Sequence, residues 1–353
     1  TEDAFRLFTI LNDRGIPLSN ADILKSINIG EIGEEDLDEY SKHWEYLEEK
    51  YHKGFDRFLS FVRTILLKNK PSSNLLDEYE KNIYQKNILK KGKNTIDFLI
   101  ELDGIYDKII DLNDENLSNE YKNLVTIMKL GLHSDEWIPT VLSYFLKFEY
   151  YNLDEFIKKL EYKFIGDLMS NVSPSKRREN LNNIIKTIEI VSKENMDILF
   201  ENRELFDIDK NIFRKNINGD IYGKKYTKYL LLKMEYLMND NSVYLSNYKE
   251  ISIEHVLPQN PLKKSNWRRD FTEEQRKLWT NKLSNLVLIS NKKNVKLANL
   301  DFKKKKEEYL KNRMDVFNSS KIFLDKSSKW DETNLRNRQN IMVNMLINNK
   351  YSE

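Results

Sequence analysis

The chain has 353 residues, enough for two or three domains that each bury a core, and it contains no cysteine. Disulfides, thiolate zinc sites and cysteine nucleophiles are therefore excluded. Any metal must sit on oxygen or histidine nitrogen, which favours magnesium or manganese over cysteine-ligated zinc. Lys and Arg number 58 against 56 Asp and Glu, a net charge of +2. The acids are concentrated mainly before residue 165, and basic residues outnumber them from Lys263 onward, which points to a polyanion at the C-terminal end. No apolar run approaches membrane-spanning length, and the first residues lack the basic and apolar regions of a signal peptide, so a cytoplasmic location away from membranes is expected.

In chain order, Ala4, Phe5, Phe8, Ile10 and Leu11 form one apolar helical stripe. Arg14-Gly15-Ile16-Pro17 breaks it, and Ser19 caps a second helix carrying Ile23, Leu24 and Ile27. From Leu37 to about Asp197 the apolar period stays helical, as in Trp44-Leu47-Tyr51, Phe58 to Leu66, Phe98 to Ile110 and Ile138 to Leu146. Pro71-Ser72-Ser73, His133-Ser134-Asp135 and Ser173-Pro174-Ser175 punctuate this array as loops or caps. One more helix is predicted over Tyr222–Met238. After Asn239-Asp240-Asn241 the pattern changes to short strand-like runs at 251–257 and 285–289, followed by one basic helix from Asn294 to Arg313 and a last helix from Thr333 to Asn349. The expected fold is α+β and predominantly α-helical, a helical array over 31–245 followed by a small sheet-containing domain over 246–353, with 1–30 set apart.

The chemistry concentrates in the last of these segments. Of four histidines, only His255 stands on a strand beside an acid, Glu254, with Asn285 on the partner strand and Asn294 opening the basic helix. Imidazole is suited to activating water near neutral pH, and a divalent ion needs only one or two protein oxygens, which Glu254 and Asn294 would supply. Asn285, both donor and acceptor, would hold the loop that orients His255. The competing reading of His255 is a packed strand histidine. A regular strand also points Glu254 and His255 to opposite faces, so one site for both requires the strand to twist or end near Pro258. Lys296 and the run Lys303 to Lys306 fit either phosphate contacts or a solvated face. Trp267, Phe271 and Trp279 read as core, and His43, His52 and His133 as structural or exposed.

At these residues the chain resembles the HNH-type nuclease domain of the GmrSD-like modification-dependent restriction endonucleases. The resemblance runs through Ile253-Glu254-His255-Val256-Leu257-Pro258-Gln259, Trp267, Ser284-Asn285-Leu286-Val287-Leu288-Ile289, Asn294-Val295-Lys296-Leu297-Ala298-Asn299-Leu300-Asp301-Phe302 and Lys305, with Trp330, Leu335 and Arg338 later. It implies a ββα-metal fold with His255 as general base, Asn285 as the organising residue, and Glu254 and Asn294 as ligands of magnesium or manganese. Lys296, Asn299 and Lys305 become supports or phosphate contacts. Ser284 stands where the family usually has Gly, which removes no chemical group. The implied activity is cleavage of foreign or modified DNA in restriction or anti-phage defence; the alternative is an inactive nucleic-acid-binding or assembly module of the same fold. Ala4 to Phe8 and Leu11 to Gly15, with Leu18, Asp22 and Lys25, are similar to the end of the family's ParB-like N-terminal domain. The signature of that domain would lie upstream, so a longer parent chain is expected.

Overall fold

The computed structural model describes residues 19–242, 244, 250–311, 317–324 and 329–350. The predicted first helix around Phe5 and Leu11 lies outside these residues, as does the predicted end of the basic helix at Arg313. Among the described residues the protein is predominantly helical, with one two-stranded sheet. No described helix is long and apolar enough to cross a membrane. The chain divides into two compact units that interleave in sequence, the first formed by Thr1–Leu117, Glu136–Leu153 and Ser173–Leu205, the second by Ser118–Asp135, Asp154–Val172 and Phe206–Glu353.

The first unit contains α1 (Asn20–Ile29), α2 (Leu37–Tyr51), α3 (Phe55–Leu67), α4 (Lys93–Ile109), α6 (Ile138–Phe148) and α8 (Pro174–Ile190); α5 (Asn119–Gly131) and α7 (Leu153–Met169) fall between them in the chain. Ser19 caps α1 through a capping box with Asp22, and Ser173 caps α8 ahead of Pro174. Helix α6 is buried on nearly every side, Ile138, Val141, Leu142, Tyr144 and Phe145 included, and α3, α4 and α8 pack around it. The predicted loop at Pro71-Ser72-Ser73 is fixed by a buried carboxylate: Glu78 accepts from Ser72 and Ser73 and pairs with Arg63 at 2.5 Å.

The second unit is built on α10 (Thr227–Met238), with α9 (Lys210–Ile217) preceding it and α5 and α15 (Glu332–Asn348) against it. Gly131 lets α5 approach closely, since a Cβ there would lie 2.5 Å from the Tyr229 Cα. The helix predicted from Tyr222 begins five residues later. Gly223 adopts φ 79°, and Thr227 turns its hydroxyl back onto the Ile221 and Lys224 carbonyls.

Strand β1 (Ile251–His255) pairs antiparallel with β2 (Leu286–Ser290), from Ile251 opposite Ser290 to His255 opposite Leu286. The long connection carries α11 (Asn266–Asp270) and α12 (Glu273–Trp279). Its Trp267, Phe271 and Trp279 enter the core with Val256, Leu257, Val287, Ile289 and Phe302, as the sequence predicts. The single basic helix expected from Asn294 is instead two: α13 (Asn291–Leu297) and α14 (Phe302–Leu310), separated at Ala298, whose φ of 34° no right-handed helix continues.

Candidate active site

The two faces of β1 carry two different sets of groups. Ser252 and Glu254 share one face, two residues apart. Asn294 reaches Ser252 through Nδ2 at 2.5 Å, and Lys305 from α14 reaches Glu254 Oε1 at 2.5 Å. Lys305 also donates to the His255 carbonyl at 2.7 Å. Both Glu254 and Lys305 are buried, Lys305 completely. Burial raises the Glu254 carboxyl above its ordinary value against the pull of Lys305, and burial lowers the Lys305 ammonium against the pull of Glu254.

His255 points to the other environment. Its ring meets Tyr222 edge-on at 4.2 Å between centroids, and Nε2 lies 3.3 Å from Asn281 Oδ1, which also accepts from Gln259 at 3.3 Å. An amide oxygen only accepts, so the imidazole proton sits on Nε2 and Nδ1 keeps its lone pair. Burial pushes the His255 pKa down to about 4, with Lys305 lowering it further and Asn281 opposing. The ring is therefore neutral at pH 7 and able to accept a proton.

The turn after β1 is held by Asn285. Its Oδ1 accepts from Leu257 N at 2.8 Å and from Trp330 at 3.3 Å, its Nδ2 donates to the Leu257 and Thr280 carbonyls at 2.9 Å each, and its own carbonyl accepts from Val256 N at 3.0 Å. A fully buried amide thus saturates the backbone on both sides of Val256-Leu257 and ends the strand at His255.

The structure brings Glu254, His255, Asn285 and Lys305 into one bonded cluster and leaves Asn294 attached to it through Ser252. Lys296 and Asn299 are exposed and make no described contact with His255 or Glu254. Lys305, expected at phosphate, has its ammonium turned inward, because the break at Ala298 redirects α14. Tyr222 and Asn281 were missed by sequence reasoning. Nothing in their spacing marks them: Asn281 comes to His255 by preceding Asn285 by one turn of chain, and its carbonyl accepts from Ile221 N and Tyr222 N at 2.9 and 3.2 Å, which seats Tyr222 on the imidazole.

No group of three or more His, Asp or Glu among the described residues could hold a metal ion. The oxygens at hand for one are the Glu254 carboxylate and Asn294 Oδ1, hard donors of the kind magnesium takes in small number alongside water and substrate phosphate.

Fold and site together define a helical protein with a neutral, buried histidine locked at the end of a two-stranded sheet. Residues 207–345 match the family described as GmrSD restriction endonucleases, C-terminal domain. The resemblance read from Ile253–Gln259, Asn285 and the Asn294 segment is thereby shown over that stretch, which contains Tyr222, Glu254, His255, Asn281, Asn285, Asn294 and Lys305. No curated protein matches the chain.

Proposed function

We propose that the segment matched by the family is an HNH-type, metal-dependent endonuclease that hydrolyses DNA phosphodiesters in defence against foreign or modified DNA. The observation that carries this reading is the neutral His255, its Nε2 proton held by Asn281 and its Nδ1 lone pair available, on a strand end fixed by Asn285. In this reading Nδ1 takes the proton of the attacking water, and Asn281 Oδ1 steadies the imidazolium that results. A divalent ion held by Glu254 and Asn294 would absorb charge on the phosphate. Lys305 keeps Glu254 in place and neutralised, and Lys296 and Asn299, exposed on and after α13, contact the DNA backbone without reading sequence. Residues 1–30 belong, on the same proposal, to the end of a ParB-like domain, 31–245 to a helical domain that positions substrate or relays a signal, and 246–353 to the ββα-metal domain; the protein acts in the cytoplasm.

The test is plasmid nicking with magnesium, manganese or chelator, comparing the unmodified chain with His255→Ala. Cleavage should fall by about 10²- to 10⁴-fold, the usual contribution of a general base, while duplex affinity stays within a few-fold. Parallel loss of binding and cleavage would remove His255 from the chemistry. The buried Lys305–Glu254 pair favours a second reading, an inactive nucleic-acid-binding module in which the ammonium occupies the cation's place for good. That reading expects duplex binding with no nicking under either metal.

A further inference from the structure

A cavity of about 270 Å³ lies within the first unit, between α3, α6, α8 and the loop at Asn69–Pro71. Its lining falls wholly outside residues 207–345. Three lining side chains are cationic, Arg57, Lys70 and Arg178, against one carboxylate, Glu136. That carboxylate is already committed to arginines, accepting from Arg178 at 3.0 Å and Arg177 at 3.3 Å. The cavity therefore holds a surplus of positive charge in a partly enclosed space, where an anion is attracted more strongly than at an open surface.

Thr140 lies on the wall of this cavity. It is fully buried, and its hydroxyl has no hydrogen-bond partner in the protein. Such a group destabilises the fold unless something else satisfies it. Asn182, 5 % exposed, is a second polar lining residue from α8. Opposite the polar groups, Arg57 lies 4.9 Å over the Phe61 ring, and Phe61, Pro71, Pro139 and Leu181 supply apolar wall. A guanidinium held flat on an aromatic ring is pre-organised for the bidentate grip that suits phosphate.

We propose that this cavity is a binding site for a small phosphate monoester: a dianionic head against Arg178, Arg57 and Lys70, and a compact flat body against Phe61 and Pro139. The charge surplus favours a dianion over a monoanion. The volume, just under the common range for small-molecule sites, limits the body to about one ring. Thr140 and Asn182 give the enclosed end its hydrogen-bonding capacity.

The experiment is calorimetric titration and thermal melting of the full chain with phenyl phosphate, with phenol and phenyl sulfate as the uncharged and monoanionic analogues. Phenyl phosphate should bind saturably and raise the melting temperature, phenol should not, and phenyl sulfate should bind more weakly. Arg178→Gln should weaken phenyl phosphate by roughly 10-fold or more, the usual consequence of losing a charge-assisted bond. Thr140→Val separates a ligand group from a structural one: removal of an unpaired buried hydroxyl should raise the melting temperature of the free protein while weakening phenyl phosphate by roughly 5- to 10-fold. Absence of saturable binding at millimolar phenyl phosphate would overturn the proposal. So would equal affinity for phenol, unchanged affinity in both variants, or displacement of phenyl phosphate by a short DNA duplex, which would make the cavity part of a nucleic-acid surface.

Discussion

Replacing Asn285 by Ala removes the one side chain that saturates the turn after β1. Four buried partners lose their bond: Leu257 N and O, the Thr280 carbonyl and the Trp330 indole N–H. An unsatisfied buried group costs roughly 1–3 kcal/mol, but the four lie around one small void that a water can enter, so the sum overstates the effect. A loss of about 3–5 kcal/mol is expected, a large fraction of the ~5–15 kcal/mol that usually separates folded from unfolded chains. At roughly 2–4 °C per kcal/mol for a unit of this size, melting should fall by about 10 °C. Asn285→Asp sharpens the test. The carboxylate keeps an acceptor for Leu257 N but sets a second oxygen against the Leu257 and Thr280 carbonyls, so at neutral pH it should be at least as damaging as Ala and should recover part of its stability on acidification. Urea melts at two pH values decide it. An Ala variant melting within a degree or two of the unmodified chain would refute the argument, as would an Asp variant insensitive to pH.

The depressed pKa of His255 makes a signed prediction. The unfolded chain, with an ordinary value near 6.5, binds a proton that the folded chain refuses until about pH 4, so the neutral ring's contribution is fully present above pH 6.5 and is lost as pH falls toward 4. The difference amounts to roughly 3 kcal/mol. Because Glu254, Glu161 and Glu235 have raised values and act in the opposite sense, it is the stability gap between the unmodified chain and His255→Gln that should shrink across this window; a constant gap would place the titration elsewhere. For the lysines, Lys296→Gln should flatten the dependence of log DNA affinity on log salt by about one unit, whereas Lys305→Gln should leave that slope alone and lower stability, since its charge is buried against Glu254. Anisotropy at several salt concentrations with chelator present reads both, and a slope change on replacing Lys305 would contradict the inward placement.

Much of the fold was legible because it rests on local signals. The Ser19 and Ser173 caps, the helical period between Leu37 and Leu146, and the apolar strands around His255 each follow from spacing within a few residues. So does the burial of Trp267, Phe271 and Trp279. The part that was not legible depends on contacts distant in sequence or on a single backbone angle. Asn281 matters through a carbonyl that receives Ile221 and Tyr222 from some sixty positions away, and no pattern in the residues between them encodes that meeting. Gly223 shortens α10 because it takes a conformation that a periodicity argument ignores. Sequence reasoning foresaw that Glu254 and His255 would oppose each other across the strand. It did not foresee that Lys305 would join them, bonding to the side chain of one and the carbonyl of the other.

That junction depends on the break at Ala298, and a single substitution tests the dependence. In a continuous helix, Lys305 would lie on nearly the same side as Asn294 but eleven residues on, about 16 Å along the axis. Their partners Ser252 and Glu254 are only two strand residues apart, roughly 7 Å. Both bonds can form only if the chain folds back between them, which is what Ala298 does at φ 34° and ψ −125°. A non-glycine residue is held there at a cost of about 1–3 kcal/mol. Ala298→Gly should relieve that cost and lose about 0.5–1 kcal/mol to the greater freedom of the unfolded chain, for a net gain in stability. Within an uninterrupted helix the same substitution would destabilise by about 1 kcal/mol. The sign of the change in urea midpoint therefore distinguishes the two arrangements, and a lower midpoint for Ala298→Gly would restore the continuous helix and take Lys305 away from Glu254.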